Sequence, residues 1–379
     1  MSGLAATFRD ELRRIFANWP VFSVLVAAVA FYSVFYPQPY LNEALRDVAV
    51  VVVDQDQTVS SRDLSRRIDA SPDVAVVSVL PDYPAAQRQV FARDASGIVV
   101  IPQGFERDLL SGRPSPVALY ADASYFLIYQ KVALAVSGVT RTLGAEVMAK
   151  RLVAQGTDVA VAAGVADPMP LTAIALFNPQ GGYASYLLPA AFILILQQTL
   201  LIGVGLAGTL LRDGPPPPAT PLARVLGKLL AYLALEAFVV PFCLVAVPYL
   251  YGIPRIGGLF PLLAYAVLFV LAVGALGLVV AGTFRTSYAV QLAMAAIGMP
   301  LFFLSGFSWP AEAMPTPILW LARLVPSTSA IDGLVQIGQM GASLADLRQP
   351  AFILFALAVG YGGIAVALES RRGQGSSLR

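Results

Sequence analysis

The sequence predicts a membrane α-helical protein of six transmembrane helices, with an extracytoplasmic α/β domain inserted between helices 1 and 2. Three observations support this fold class. Hydrophobic residues make up 57% of the chain and charged residues only 13%, whereas soluble domains carry about 25% charged residues. The apolar residues gather in six runs long enough to cross a bilayer. One long segment of ordinary soluble composition separates the first run from the second.

A spanning helix needs about 20 largely apolar residues to cross about 30 Å of hydrocarbon, and each predicted span is of about this length or longer. The first run ends in FYSVFYPQPY and has no small-residue cleavage site, so we expect an uncleaved anchor rather than a signal peptide. The six predicted spans are 19–36, 183–211, 225–251, 258–283, 288–307 and 351–368.

Arginine and lysine at the ends of the apolar runs predict the orientation. With six spans, four flanks rich in these residues fall on one side, which the positive-inside rule assigns to the cytoplasm. Both termini are then cytoplasmic, including a tail over 369–379, and the connection 37–182 is external. The basic residues that set this orientation are Arg9, Arg13, Arg14, Arg212, Arg224, Lys228, Arg285, Arg371 and Arg372.

The external segment 37–182 reads as an α/β domain. Short β-branched runs such as DVAVVVVD, VAVVSV and GIVVI alternate with amphipathic stretches, and a long helix is expected from Tyr125 to about Gln155. This alternation predicts a small, largely parallel sheet covered by helices. TAIALF, which begins at Thr172, is predicted to return as a last strand.

Residues 1–18 are predicted to form an amphipathic helix on the cytoplasmic leaflet. Leu4, Phe8, Leu12 and Ile15 recur at helical spacing, while arginines occupy the other faces. Two interpretations stay open, a simple membrane anchor and a helix that also contacts a partner protein.

Three polar side chains inside the predicted spans are candidates for a substrate path. Glu236 lies near the middle of the third span, and Gln197 and Gln198 lie at similar depth in the second. An ionisable group in a membrane is costly and marks a functional site by default. The alternative is that all three residues form hydrogen bonds between helices.

An external segment over 308–334 is too interrupted by proline to be one span, although ILWLARL within it is apolar. A short re-entrant helix in the outer leaflet, with Trp309 and Trp320 at the interface, is one interpretation. An external hairpin is the other, and these residues favour neither.

Several chemistries are excluded by composition. The chain has no histidine and one cysteine, Cys243, which removes histidine-based triads, the common zinc sites and an internal disulfide. GVGLAG at 203–208 matches a nucleotide-binding pattern but lies inside an apolar run, and no phosphate-binding loop occurs. We therefore expect no metal, no cofactor and no catalytic residue on this chain. The net charge of +2 gives no indication of nucleic-acid binding.

The whole chain resembles the permease subunits of ABC-2-type transporters, in the bacterial export subgroup with a large extracytoplasmic domain after the first span. The resemblance rests on VVVDQDQTVSSRDLSRRIDAS, GIVVIPQGFERDLLSGRPSPVALYADAS, TPLARVLGK and LSGFSWPAEAMPTPILWLARLVPSTSAIDG, in this order around the predicted spans. It covers nearly all 379 residues. The usual acidic, helical lead-in before TPLARVLGK is replaced here by RDGPPPP.

The resemblance implies a half-transporter in the bacterial inner membrane that exports an amphipathic or hydrophobic substrate by alternating access. Its partners would be a separate ATP-binding cassette ATPase holding ATP and magnesium, a second permease copy or paralogue, membrane lipid and, as an open question, a periplasmic adaptor. The loop 212–224 would transmit ATPase closure, although a plain rigid linker is the alternative. The candidates for contact with the ATPase are Arg9, Arg13, Arg212, Asp213, Pro221 and Arg224.

Two other classes of function compete with this interpretation. One is a membrane-anchored surface receptor or scaffold of the phage-infection-protein type, which needs no ATPase. The other is an intramembrane enzyme acting on lipid-linked substrates, which would need clustered charged residues at one membrane face. Glu236 alone does not supply such a cluster.

Overall fold

The computed structural model describes residues 2–179, 181–210 and 219–376, with side chains to residue 371. The chain divides into a helical unit, Met1–Glu43 with Ala175–Arg379, and an α/β unit, Ala44–Ile174. Arg212, Asp213 and the four prolines of the predicted coupling loop lie outside the described residues.

The elements of the α/β unit are inserted between two parts of the helical unit. The helical unit begins with α1 (Ser2–Ala17) and α2 (Trp19–Tyr40). The α/β unit contains β1 (Val48–Asp54), α3 (Val59–Asp69), β2 (Val74–Leu80), α4 (Tyr83–Phe91), β3 (Gly97–Ile101), α5 (Phe105–Ser111), β4 (Ala118–Ala121), α6 (Phe126–Ala154) and α7 (Val159–Ala166). The helical unit continues with α8 (Tyr183–Leu210), α9 (Pro221–Leu250), α10 (Leu259–Thr283), α11 (Ser287–Leu304), α12 (Thr316–Ala322), α13 (Pro326–Met340) and α14 (Arg348–Ser376).

Within the described residues, seven helices are long and apolar enough to cross a membrane. Six of them, α2, α8, α9, α10, α11 and α14, belong to the helical unit and correspond to the six predicted spans. The seventh, α6, belongs to the α/β unit, where Val132, Val136 and Leu143 pack into the core beside the sheet. Because α6 passes the same test of length and composition, the count of six spans stays a prediction.

The predicted segment 308–334 contains two helices rather than one. The axes of α12 and α13 differ by 82° across a short break, as in a broken span or a re-entrant loop. Trp309 and Trp320 are exposed. Helix α13 continues past residue 334 to Met340 and is mostly buried, with Ala330 and Ile337 in the core of the helical unit.

The α/β unit is built on a four-stranded sheet in the order β2-β1-β3-β4. The first three strands are parallel, as the alternating sequence predicts, and β4 is antiparallel to β3. Strand β1 is apolar throughout because both of its faces are covered. Val50 and Val52 pack with α3 and α6 on one face, and Val51 and Val53 pack with α4 on the other.

The predicted strand TAIALF is wrong. Residues 171–175 carry no regular structure, and Leu171, Ile174 and Leu176 are exposed. The β-branched pattern raises local strand propensity, but a strand also needs a neighbour that pairs with its backbone. Within the described residues, β4 instead forms this edge of the sheet.

Carboxylates organise the loops at the carboxyl ends of the parallel strands. Asp54 accepts hydrogen bonds from the backbone N–H of Gln57 (2.8 Å) and from the hydroxyl of Ser61 (2.8 Å). Asp56 accepts from the backbone N–H of Gly104 (2.7 Å) and Glu106 (2.9 Å). The loop after β1 is thereby joined to the loop after β3.

The same contacts set the charge state of Asp56. Partial burial alone would raise the pKa of this carboxyl, but hydrogen bonds from the Glu106 N–H, the Thr58 hydroxyl and the Gly104 N–H outweigh it and hold the pKa below its usual value. Because the folded-state pKa is depressed, the stabilisation is present above the unfolded-state pKa. It is lost as the pH falls through the folded-state pKa.

We predict that residues 37–180, produced alone, fold, and that Asp56→Asn destabilises this fragment more at pH 7 than at pH 3. The core of the α/β unit is made from its own elements, and the advantage of the carboxylate shrinks as the pH falls towards its depressed folded-state pKa. Thermal unfolding midpoints at the two pH values measure the effect. Asp94→Asn is the matched control, since Asp94 is exposed. A non-cooperative melt of the fragment, or an equal loss at both pH values, would contradict this account.

Candidate functional site

Helix α9 is irregular over its second half, and the cause is proline. Pro241 has no N–H, so the carbonyl of Ala237 one turn earlier loses its usual helical partner. A π turn, Phe242–Ala246, follows directly, and Pro248 comes two residues later. Prolines and π turns are the recognised causes of local bends in helices.

Two adjoining pockets lie between this part of α9 and α10. The first has a volume of about 190 Å³ and includes Glu236. The second, of about 810 Å³, shares Pro241 and Leu263 with the first and reaches Arg255. We call the two together the lateral groove. Its lining is otherwise apolar or aromatic: Leu233, Ala237, Val240, Phe242, Val245, Ala246, Pro248, Tyr249, Gly252, Ile253, Pro254, Leu259, Ala266, Val267 and Val270.

Glu236 is the acidic residue of this groove. It lies at the middle of the 30-residue helix α9 and is 2% exposed. No side chain or backbone group among the described residues forms a hydrogen bond with its carboxyl group. A buried carboxyl group without a partner is costly in apolar surroundings, which makes Glu236 a candidate for contact with a ligand.

The two glutamines predicted beside Glu236 have partners elsewhere. The side-chain oxygen of Gln197 accepts a hydrogen bond from the backbone N–H of Ser327 (2.7 Å), and the side-chain nitrogen of Gln198 donates to the carbonyl of Met294 (2.8 Å). Neither glutamine lines the lateral groove. The structure thus separates the three candidates, and Glu236 alone lies in a pocket.

Gln197 fastens the beginning of α13. Val325, the residue before this helix, provides no side-chain cap for its first N–H groups. Gln197 of α8, distant in sequence, supplies the missing acceptor for the N–H of Ser327. The hydroxyl of Tyr265 in α10 also donates to the carbonyl of Ser329 (2.8 Å), and its ring packs on Gly333. Sequence reasoning missed Tyr265, although a tyrosine inside an apolar run signals a need for a hydrogen-bond partner.

Helix α1 packs against the start of α9. A Cβ atom added at Gly227 would lie 2.8 Å from Cβ of Thr7 and 2.9 Å from the carbonyl of Leu4. The hydroxyl of Tyr232 donates to the buried carboxylate of Glu11 (2.6 Å). Helix α1 is therefore fastened to a second helix rather than lying only on a lipid surface.

Arg9 and Arg13 remain exposed on α1. Their side chains are therefore available to a partner, as a coupling role requires. That role stays a prediction, because exposure alone identifies no partner.

Pro221 and Arg224 belong to a helix, which corrects the predicted loop 212–224. Thr220 caps α9, since its hydroxyl accepts from the N–H of Ala223 (3.2 Å), and Pro221 takes the first helical position, where proline is favoured. Arg224 is 6% exposed and lies 3.7 Å from the carboxylate of Glu369. Contact between Arg224 and an ATPase stays a prediction.

Glu369 connects the beginning of α9 with the last turns of α14. The amino group of Lys228 forms an ion pair of 2.7 Å with this carboxylate. The predicted tail over 369–379 therefore begins inside α14, which continues to Ser376.

The described residues contain no group of three His, Cys, Asp or Glu side chains arranged to hold a metal ion. The helical unit offers an apolar groove whose carboxyl group has no hydrogen-bond partner among the described residues, and a packed contact between α1 and α9.

The model of the ABC-2 family transporter proteins matches residues 16–367. The chain belongs to the ABC-2 transporter family. The match includes the helices as well as the α/β unit, and nothing supports the alternative of a surface receptor or scaffold.

Two curated relatives of this chain are described as probable multidrug ABC transporter permeases. The chain is 27% identical over 149 residues to the probable multidrug ABC transporter permease YbhS of Escherichia coli strain K12, and equally to YbhS of strain O157:H7. These residues are 39% of this chain and 40% of each relative. The chain thus aligns with about two fifths of the length of the relatives it matches.

We predict that Gln197→Met lowers the thermal unfolding midpoint of the purified permease, whereas Gln197→Glu retains most of it. Methionine has a similar size but leaves the Ser327 N–H unpaired, at a cost of about 1–3 kcal/mol. Glutamate keeps the acceptor, and the helix N-terminus favours its charge. Equal midpoints for the methionine variant and the wild type would show that Gln197 does not fasten α13.

Proposed function

We propose that this chain is the permease half of an exporter that moves an amphipathic or hydrophobic substrate out of the cytoplasm or the inner leaflet. The observation that carries the proposal is the lateral groove, which combines an apolar lining with the unpaired carboxyl group of Glu236 in a member of the ABC-2 family. An apolar pocket with few polar groups is typical of sites for small organic ligands. Gln197 and Gln198 are assigned to the packing of helices.

The proposed assembly contains two permeases, identical or paralogous, and two copies of a separate ATPase that holds ATP and magnesium. We place it in the bacterial inner membrane with both termini in the cytoplasm, and the positive-inside rule supports this orientation. Arg9, Arg13, Arg212 and Asp213 would then face the ATPase. Docking of a periplasmic adaptor on the α/β unit is a further element of the proposal.

The proposed mechanism is alternating access, with α9 as the moving part. ATP binding would draw the two ATPase subunits together and displace α1. Because Glu11 and Thr7 hold α1 against the first half of α9, α9 would move together with α1. Its second half forms one wall of the lateral groove, so the displacement would change the width of the groove around the substrate.

The proposed substrate class follows from the lining. An apolar surface binds hydrophobic parts of a ligand, and the carboxyl group of Glu236 suits a hydrogen-bond donor or a cation on the same molecule. Drug-like amphipathic compounds meet both conditions, in agreement with the description of YbhS as a probable multidrug ABC transporter permease.

We predict that Glu236→Gln preserves substantial transport and Glu236→Lys abolishes it at equal expression. Glutamine keeps hydrogen bonding at the same position. Lysine puts a cation at the middle of a spanning helix, at a cost of about 2.5–3.5 kcal/mol on insertion scales. Efflux of fluorescent amphipathic compounds from cells or vesicles is the measurement.

The same preparation tests the assembly. Permease purified from native membranes should carry an ATPase whose hydrolysis rises with these compounds. Phe238→Lys, one helical position away from the groove residue Ala237 and 81% exposed, serves as a control for expression and insertion. Normal efflux by Glu236→Lys would remove Glu236 from the substrate path. Absence of an ATPase from an active preparation would contradict the assignment as a transporter half.

A further inference from the structure

The α/β unit contains an amphipathic groove of its own, formed by α3, α5 and α6. Its volume is about 490 Å³. Leu109, Leu143 and Val147 form an apolar floor, and Val59 and Leu110 stand exposed at its edges. We call it the basic groove, after the residues that surround this floor: Arg66, Arg67, Lys150 and Arg151, with Asp63 as the acidic residue.

Arg67, one of these four cationic residues, has its guanidinium group fully engaged in ion pairs. The Arg67 guanidinium donates to Asp63 (2.8 Å) and makes two bonds of 2.9 Å to the carboxylate of Glu146. These bonds hold α3 to α6 and keep Arg67 from serving a ligand. Arg67 therefore stabilises the walls of the groove and is not a residue that would bind the ligand.

The remaining cations carry positive charge that close ion pairs do not neutralise, although Lys150 lies near enough to Glu146 to help lower the pKa of that carboxyl. Lys150 and Arg151 make no ion pair with any described residue, and Arg66 makes a long contact of 3.4 Å with Asp63. The Arg151 guanidinium packs on Gly112 at the end of α5, where a side chain would collide with it. It is thus held at one end of the apolar floor, and Lys150 lies beside it in sequence.

We propose that the basic groove binds a free single-chain amphiphile with an anionic head, such as a fatty-acid carboxylate. The alkyl chain would cover Leu109, Leu143 and Val147, and the head would lie between Lys150 and Arg151. The volume supports a small ligand, because sites for such molecules measure about 300–1,000 Å³. An α-helix of a partner protein, about 10–12 Å across with its side chains, needs a longer and wider surface.

This proposal is independent of transport, since it requires neither ATP nor a second permease. It assigns to the α/β unit a ligand that differs from the substrate class proposed for the lateral groove. Failure of one proposal leaves the other intact.

Photo-crosslinking on the full-length permease in phosphatidylcholine nanodiscs tests the basic groove. The first probe is dodecanoate with a diazirine in its chain, and the second is the matching alkyl trimethylammonium. Both partition into the bilayer, so the difference between them reports on charge recognition. Mass spectrometry then locates the crosslinks within residues 105–111 and 143–151.

We predict that the carboxylate probe labels these residues about five-fold more than the cationic probe, and that high salt reduces the difference. Lys150→Glu should bring the two probes to similar labelling. Arg141→Glu should leave the preference unchanged, because Arg141 is exposed on the same helix and does not line the groove. Equal labelling by both probes in the wild type, or an unchanged preference in Lys150→Glu, would overturn the proposal.

Discussion

Satisfaction of backbone polar groups away from water is the constraint on which the helical unit depends. Most of its apolar helices satisfy their own N–H and carbonyl groups, but a chain that breaks between α12 and α13 exposes the first N–H groups of α13. Gln197 accepts a hydrogen bond from one of these N–H groups, and the hydroxyl of Tyr265 donates to a carbonyl in the first turn of the same helix. The bend of 82° is thereby fixed by side chains from two other helices.

Glu236 is the exception to this rule. Glu11, the other buried acidic side chain among the described residues of this unit, accepts a hydrogen bond from Tyr232, and the half-buried Glu369 forms an ion pair with Lys228. Glu236 has no such contact among the described residues and lies in a pocket beside a stretch interrupted by Pro241 and a π turn. One helix, α9, therefore carries both the non-covalent contact with α1 and one wall of the groove, and in the proposed mechanism a displacement of α1 would reach the groove through this helix.

The sequence predicted what depends on local pattern. Apolar runs located the six long helices of the helical unit, and most of the predicted helix ends lie within a few residues of the observed ones. Alternating β-branched runs located the four strands of the α/β unit. Features that depend on distant partners were not predicted. The acceptor for Ser327, the burial of Glu11 and the pairing of Arg224 with Glu369 all join residues more than 100 positions apart. TAIALF failed for the same reason, because strand propensity does not provide a neighbouring strand.

Cysteine labelling in the proposed assembly tests the proposed coupling of ATP to the lateral groove most directly. Cys243→Ala removes the single native cysteine, and Ala237→Cys or Phe238→Cys then places one reactive thiol inside or outside the groove. Maleimide labelling is measured with and without ATP on the partner subunit. The account predicts that ATP changes the labelling rate at position 237 and leaves position 238 unaffected. Labelling at position 237 that does not respond to ATP, in a preparation that transports, would contradict it.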